Sequence, residues 1–480
     1  MRRGVRGGRG FRAAAILAIA TAAWPVAGAA ASPADVTVEG EAMTLPAVAG
    51  GPAPDAAASG SSAQRIATNS TAQSTVTTGR SSVHLFVRAR GDDCQGAPAI
   101  SVRVDGRQWW SGPVSTSGYR DIGVRVSIPA GAHTVAVSMT NDNAVFLAGF
   151  KVCDRSVLVD SITFVTTPFS PTGWRNQPLA DDAPVAPGSA AIVGDLVSQI
   201  DASDVGVWVN TTWYSTPIYT VSRDQPTVRV AGPPQLAEQF AAVPLPPDAM
   251  PAPGSDATLV VWQPSTDTMW EFWGLARDRW GNWSARYGGR MPDVSRNEGQ
   301  FGFPPGPRFG ASATSIALMA GTPRIEELKR GVIDHAIDLG VTAGRGRDGW
   351  CWPAQRTDAG HWRRDAAAIP AGTRFRFPAG FDLEAYAADP AHPMTRYALM
   401  TARAIQRYGM VVRDSGGTHP GFWAEDPAPT GGNPYGGPTG LFEGRYPNKH
   451  ELFANFPWSR LQVVAQPPGA GCQDDPDVDG

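Results

Sequence analysis

At 480 residues the chain exceeds the ~100–200 residues that one globular domain favours, so two or three modules are expected. Lys plus Arg total 41 against 44 Asp plus Glu, and five of the cations (Arg2, Arg3, Arg6, Arg9 and Arg12) crowd the first twelve residues. The remainder is acidic, which argues against nucleic acid as a partner, while 54 Gly and 43 Pro with only 18% charged residues argue against long helical bundles and for turn-rich β structure.

The basic start is followed by an apolar run at 13–24 and small residues at 27–32. That order is the pattern of a secretory signal, so residues 1–31 are read as a signal peptide cut near Ala29 or Ala31. The apolar run is too short for the ~20 residues that span a bilayer. The expectation is a secreted, extracellular, monomeric protein without a membrane span. Four cysteines in an exported chain suggest disulfides, with Cys94 and Cys153 in one candidate module and Cys351 and Cys472 in the other. Pairing within modules is expected for Cys94–Cys153; Cys472 sits in a loose tail, and its pairing with Cys351 stays open.

In chain order, Val36-Thr-Val-Glu-Gly-Glu-Ala-Met reads as an edge strand, and 46–62 as a flexible linker by composition. From 82 to 165 apolar residues alternate: Val83, Leu85 and Val87; Ile100, Val102 and Val104; Ile122, Val124, Val126 and Ile128; Val135, Val137 and Met139. Period two with turn signals between the runs predicts half-buried strands, hence a jelly-roll-like β-sandwich over 32–165. A linker or surface strap is expected at 166–187 and a larger β-rich domain with two or three short helices at 188–465. Its elements are a helix capped by Ser189, strand-like runs at 206–212, 217–221, 227–231, 258–263 and 268–273, and a helix from Pro393 that Gly409 stops before a strand at 410–413. The acidic tail at 466–480 reads as disordered. The fold class is therefore mainly β.

Two groups of carboxylates frame the sandwich. Glu39 and Glu41 stand at its first strand and Asp160 at its last, and those strands commonly lie side by side when a sandwich closes. Oxygen ligands converging there would suit Ca2+. The second group is Asn141-Asp142-Asn143 with Asp154, beside which a Cys94–Cys153 bond would pin the loop 90–93. Trp109, Trp110 and Tyr119 are candidate stacking surfaces, although adjacent strand residues face opposite sides and one of the Trp109–Trp110 pair belongs to the core.

Glu39-Gly-Glu41-Ala-Met, Arg88-Ala-Arg-Gly91 with Cys94, Val102-Arg-Val-Asp-Gly106, Gly131-Ala-His-Thr-Val, Asn141-Asp142 and Cys153-Asp-Arg-x-x-x-Val-Asp160 together resemble the calcium-dependent xylan-binding modules of families 36 and 60. The resemblance implies a structural calcium and a second calcium that ligates vicinal sugar hydroxyls. It makes Asp142, Asp154 and nearby carbonyls the sugar-binding calcium site, with Asn141 also at the sugar and xylan or another β-glycan as partner. One departure is the stretch 144–152, more apolar than the Gly- and Tyr-bearing loop expected there.

The larger domain has no phosphate loop, dinucleotide fingerprint, Gly-x-Ser-x-Gly elbow or His-Glu-x-x-His helix. It has aromatic density beside carboxylates: Trp270-Glu271-Phe272-Trp273, Trp280-Gly-Asn-Trp283, Tyr287, Trp350-Cys-Trp352 and Trp362. Sugar-processing clefts combine flat aromatic faces with a pair of acids. Glu271, flanked by aromatics in an alternating strand, is the candidate proton donor if burial raises its pKa, the rival being a structural Glu paired to Arg286 or Arg290. Asp256 is its candidate partner and His335, read as lying in a strand, a candidate proton shuttle; Asp293, Glu298, Arg356 and Asp358 follow. Asp224-Gln-Pro-Thr-Val, Val261-Trp-Gln-Pro-Ser-Thr-Asp-Thr-Met-Trp-Glu-Phe-Trp273, Trp352-Pro-Ala-Gln-Arg356 and Arg407-Tyr-Gly-Met-Val-Val-Arg-Asp414 resemble a secreted bacterial domain without an assigned reaction. The expected function is polysaccharide binding joined to two-carboxylate glycoside hydrolysis; the alternatives are a non-catalytic adhesion protein and a polysaccharide lyase.

Overall fold

The computed structural model describes residues 36–166, 168–302, 309–346, 349–357, 362–363 and 365–473. The signal-peptide reading, the end of the tail and Asp358 lie outside them. Twelve strands form the N-terminal sandwich: β1 Val36–Glu39, β2 Gly50–Pro54, β3 Ser62–Ile66, β4 Thr71–Thr78, β5 Ser82–Asp92, β6 Ala99–Val104, β7 Arg107–Pro113, β8 Arg120–Ile128, β9 Gly131–Met139, β10 Ala144–Leu147, β11 Phe150–Asp154 and β12 Ser156–Thr166. One sheet has the order β2-β3-β12-β5-β8 with β1 on β12, the other β4-β9-β6-β7, and β10-β11 is a separate hairpin. The alternating residues of β6, β8 and β9 meet between the sheets, where Val102, Val126 and Val137 are fully buried. The first and last strands do pair, with Glu39 opposite Ser161.

Two expectations need correction. Gly50–Pro54, read as part of a flexible linker, is an edge strand whose register runs from Gly50 opposite Ile66 to Pro54 opposite Ser62. Its prolines are tolerated because an edge strand has one side without partners to satisfy. The stretch 166–187 is no free linker either: Phe169, Trp174 and Arg175 are buried, and Arg175 donates to the Ala336 carbonyl at 2.8 Å. A short strap carrying a large aromatic pair and a paired cation gains more by packing than by solvation.

Beyond the strap, a six-stranded sheet runs in the order Trp208–Asn210, Gly421–Trp423, Ile337–Val341, Met410–Ser415, Arg374–Arg376 and Gln462–Val463. Ile337–Val341 and Met410–Ser415 are parallel, and the chain between them contains the helix Arg396–Tyr408. That helix forms because Thr395 caps it, accepting from Ala398 N at 3.0 Å, and because Tyr397, Ala398, Thr401, Ala402 and Ile405 share its buried face. With the helix Ser189–Ala202 it builds the largest core. A second sheet orders Ile218–Thr220, Leu259–Gln263, Thr268–Trp273 and Tyr287–Met291. Residues 264–267 join the middle two as a hairpin, with Asp267 at φ 47°.

Strands β5 and β12 are buried on both faces near their sandwich-exit ends, where alternation alone would leave one face wet. Val83 and Val165 share a core with Ile218, Trp262, Met269 and Met291 of the C-terminal region. Ion pairs extend this contact: Arg125 of β8 reaches Glu326 at 3.2 Å and Glu425 at 2.9 Å, and Arg88 reaches Asp224 at 3.2 Å. All described residues accordingly fall in one compact unit.

Candidate functional site

In sheets with parallel strands, ligand crevices open beyond the carboxyl ends of those strands. Here Ile337–Val341 and Met410–Ser415 end side by side, the latter running into Gly416-Gly417-Thr418-His419. Beyond their ends lies a cleft of about 670 Å³. Five aromatic residues line it, Trp208, Tyr214, Trp273, Tyr287 and Trp423. Two carboxylates, Asp256 and Asp414, line it as well, with Arg356, Arg413 and His419.

Strand ends and the turns beside them position these side chains. Asp256 sits in the turn before Leu259–Gln263; its Oδ1 accepts from Trp273 Nε1 at 3.2 Å, and its carbonyl accepts from Gly274 N at 2.6 Å. Asp414 is the penultimate residue of its strand and accepts from Ser415 N at 2.8 Å. The preceding residue, Arg413, is buried with Nη1 3.0 Å from Asp338 and its guanidinium carbon 3.7 Å from the Trp423 ring centroid. Asp338 is held from its other side by Arg175 at 2.9 Å. Arg356 donates to the Gly310 and Ser312 carbonyls and lies over Tyr287. His419 Nδ1 lies 2.9 Å from the Ser203 hydroxyl and 3.5 Å from Asp204.

The sequence candidates separate. Asp256 reaches the cleft. Glu271 does not line it: fully buried, it accepts from Ala311 N at 2.7 Å and Leu318 N at 2.8 Å, and those two residues form the cleft wall. Its pKa is raised to about 7 because burial outweighs the two N–H donors and the Arg413 charge. Arg286 and Arg290 stack on Trp273 and Trp270 and make no ion pair with Glu271 among the described contacts. Glu271 is therefore a strut behind the wall. Since its folded pKa lies above the ordinary carboxylate value, the stability linked to its proton is complete in acid and disappears as pH rises through about 7. Thermal midpoints of wild type should thus fall between about pH 5 and pH 8 relative to Glu271→Gln, which has no proton to lose; parallel curves would show that this carboxyl titrates normally.

His335 is also placed elsewhere. The run 332–336 is irregular, and the strand begins at Ile337; the buried imidazole has Nε2 3.2 Å from Glu327 and Nδ1 2.9 Å from the Ala336 carbonyl. Burial alone would push its pKa down, but the Glu327 charge overrides burial and raises it. It is a core ion pair, distant in role from a proton shuttle. The missed residues, Asp414 and His419, carried a legible signal: a polar Arg-Asp pair closing a buried apolar strand, followed by Gly-Gly-Thr-His.

In the sandwich the expected Cys94–Cys153 disulfide is present, and the pairing left open in the C-terminal region is closed as Cys351–Cys472. Among the described residues no group of three or more His, Cys, Asp or Glu is arranged to hold a metal ion. The first acid group nevertheless has features that fit a hard cation. The Ser59 hydroxyl lies 2.6 Å from both Glu39 Oε2 and Asp160 Oδ1, and a single hydroxyl hydrogen serves only one of them. Glu41 Oε2 is buried without a hydrogen-bond partner. Asp160 Oδ2, however, is 3.1 Å from Arg88 Nε. The second group does not fit. The Asn141 carboxamide is used by Ala99 N and the Ala97 carbonyl, Asp154 pairs with Lys151 at 3.1 Å, and the Asp142 backbone turns toward Asn69. Trp109 is half-buried against the core with Arg107 over its ring at 4.0 Å. The apolar stretch between these residues is the β10-β11 hairpin, which exposes Phe146, Leu147 and Phe150.

Residues 84–170 match CBM60, a calcium-dependent, xylan-binding carbohydrate-binding module family. Solved structures similar to part of the chain include the CBM36-1 domain of a multidomain xylanase from the hindgut metagenome of Trinervitermes trinervoides (14% identity, 27% of this chain and 94% of that one, TM-score 0.22). Others are a CBM36 module in complex with calcium and xylotriose (16% identity, 26% and 97%, TM-score 0.20) and a family 35 carbohydrate-binding module from Clostridium thermocellum (11% identity, 27% and 95%, TM-score 0.22). No curated protein matches the chain. The N-terminal sandwich is thus similar to the calcium-dependent xylan-binding modules, over less than half of the chain.

Proposed function

We propose that the protein is a secreted, carbohydrate-active protein that binds a polysaccharide, xylan or another β-glycan, through its sandwich and hydrolyses glycosidic bonds in the C-terminal cleft. The observation that carries the catalytic half is that Asp256 and Asp414 both line a cleft walled by aromatic rings. Rings of this kind offer flat apolar faces to a sugar, and two carboxylates supply the proton for the leaving oxygen and the base or nucleophile for the anomeric carbon. Secretion is supported by two disulfides. Calcium, if held by Glu39, Glu41 and Asp160, would add positive charge where Glu39 and Asp160 share the Ser59 hydroxyl.

Arg356 and Arg413 at the same cleft favour a second reading, a lyase that neutralises a uronate carboxylate. Incubating the full chain with xylan, mannan, arabinan and polygalacturonate separates these readings. New reducing ends without unsaturation support hydrolysis, ultraviolet absorbance from an unsaturated uronate supports the lyase, and binding without new ends leaves adhesion. Retention in xylan-containing native gels should fall when chelator is added; equal mobility with and without chelator would remove calcium from the binding mechanism.

A further inference from the structure

The turn at 211–216, between Trp208–Asn210 and Ile218–Thr220, is fixed by several independent constraints. The buried Ser215 hydroxyl lies 2.5 Å from both the Thr212 carbonyl and the Asp426 carboxylate, and the Ser215 carbonyl accepts from Thr258 Oγ1 at 2.8 Å. Tyr214 adopts φ 55°, a left-handed backbone that a non-glycine residue keeps only where the surroundings enforce it. Its N–H donates to the Pro253 carbonyl at 2.9 Å. Its ring rests on Gly254, where a Cβ would come within 2.7 Å of ring carbon, so that position has no room for a side chain.

What this constrained turn presents is aromatic surface. Tyr214 is 40% exposed and lines the cleft; Trp213, beside it at the tip, is 65% exposed. An indole held outward on a rigid turn does not add to the core, but it can bind a flat apolar face without a loss of loop entropy. Pyranose rings present such faces. Resting on the polysaccharide reading of the cleft, we propose that Trp213 and Tyr214 form an aromatic platform at the cleft mouth that stacks on a sugar ring outside the cleft. The site then takes chains longer than the cleft encloses.

The test compares wild type, Trp213→Ala and Trp213→Tyr as full chains, on whichever polymer of the panel wild type cleaves and on the aryl glycoside of the same sugar. Trp213→Ala should raise KM for the polymer roughly three- to tenfold, much more than for the aryl glycoside, and Trp213→Tyr should restore most of the loss. Equal KM for the polymer, or an equal change on both substrates, overturns the platform. If wild type cleaves nothing, the catalytic reading fails and retention in gels containing each polymer decides instead. Weaker retention of Trp213→Ala than of wild type supports the platform, and identical retention, or none by either protein, overturns it.

Discussion

Glu425→Gln is expected to destabilise the protein by about 3–5 kcal/mol, the usual cost of removing one partner from a buried ion pair. The Glu425 carboxylate is fully buried where the sandwich meets the C-terminal region. Its Oε1 accepts from Arg125 at 2.9 Å and from Arg324 at 3.3 Å, and its Oε2 accepts from Ile325 N at 2.8 Å. The amide keeps the shape but removes the charge, leaving two guanidinium groups facing a neutral partner with one N–H2 turned toward a donor. Burial alone would raise the carboxyl's pKa; Arg125 and Arg324 reverse this and lower it to about 2. A depressed folded pKa gives stability that is complete above the ordinary carboxylate range and is lost as pH falls toward that value. The gap in thermal midpoint between wild type and Glu425→Gln should therefore be widest near neutrality and close between about pH 4.5 and pH 2. A gap that stays constant over this window, or no gap at all, would show that the junction is held by its apolar contacts alone.

The second large effect is on turnover. Asp256→Asn and Asp414→Asn should each lower kcat/KM by about 10²–10⁴ on the polymer that wild type cleaves, the range for losing a positioned acid or base. Both residues are half-buried and the substitutions keep their shape, so thermal midpoints should change far less than for Glu425→Gln. Asn at 256 can still accept from Trp273 Nε1, which separates loss of chemistry from loss of geometry. Undiminished rates in either variant remove that residue from the mechanism, and undiminished rates in both remove the acid pair.

Much of the sandwich was legible because β6, β8 and β9 bury one face each, and period two records that directly. The neighbouring of first and last strands followed from how sandwiches close, and β1 does lie on β12. The reading failed where local composition competes with tertiary packing. The Pro- and Gly-bearing edge strand Gly50–Pro54 and the strap with Trp174 and Arg175 resemble loops in composition, and only distant partners such as Asp338 make them ordered. Glu271 shows the same limit at the site. Its burial could be anticipated from flanking aromatics, but the direction of its carboxyl, toward Ala311 and Leu318 and away from open space, depends on residues forty and more positions away. The cleft gathers turns near 210, 256, 312, 341 and 415, separations that no hydrophobic period encodes.

The core shared by Val83, Val165, Trp262 and Met291 changes what a grip on the polymer can do for the cleft. A leash lets a captured chain sample a volume, and its benefit declines gradually with length. A weld has no such volume. Under the proposed function, fragments too short to reach from one contact to the other would gain nothing from the first, whereas those long enough would gain at once, and the junction would act as a ruler on the ligand.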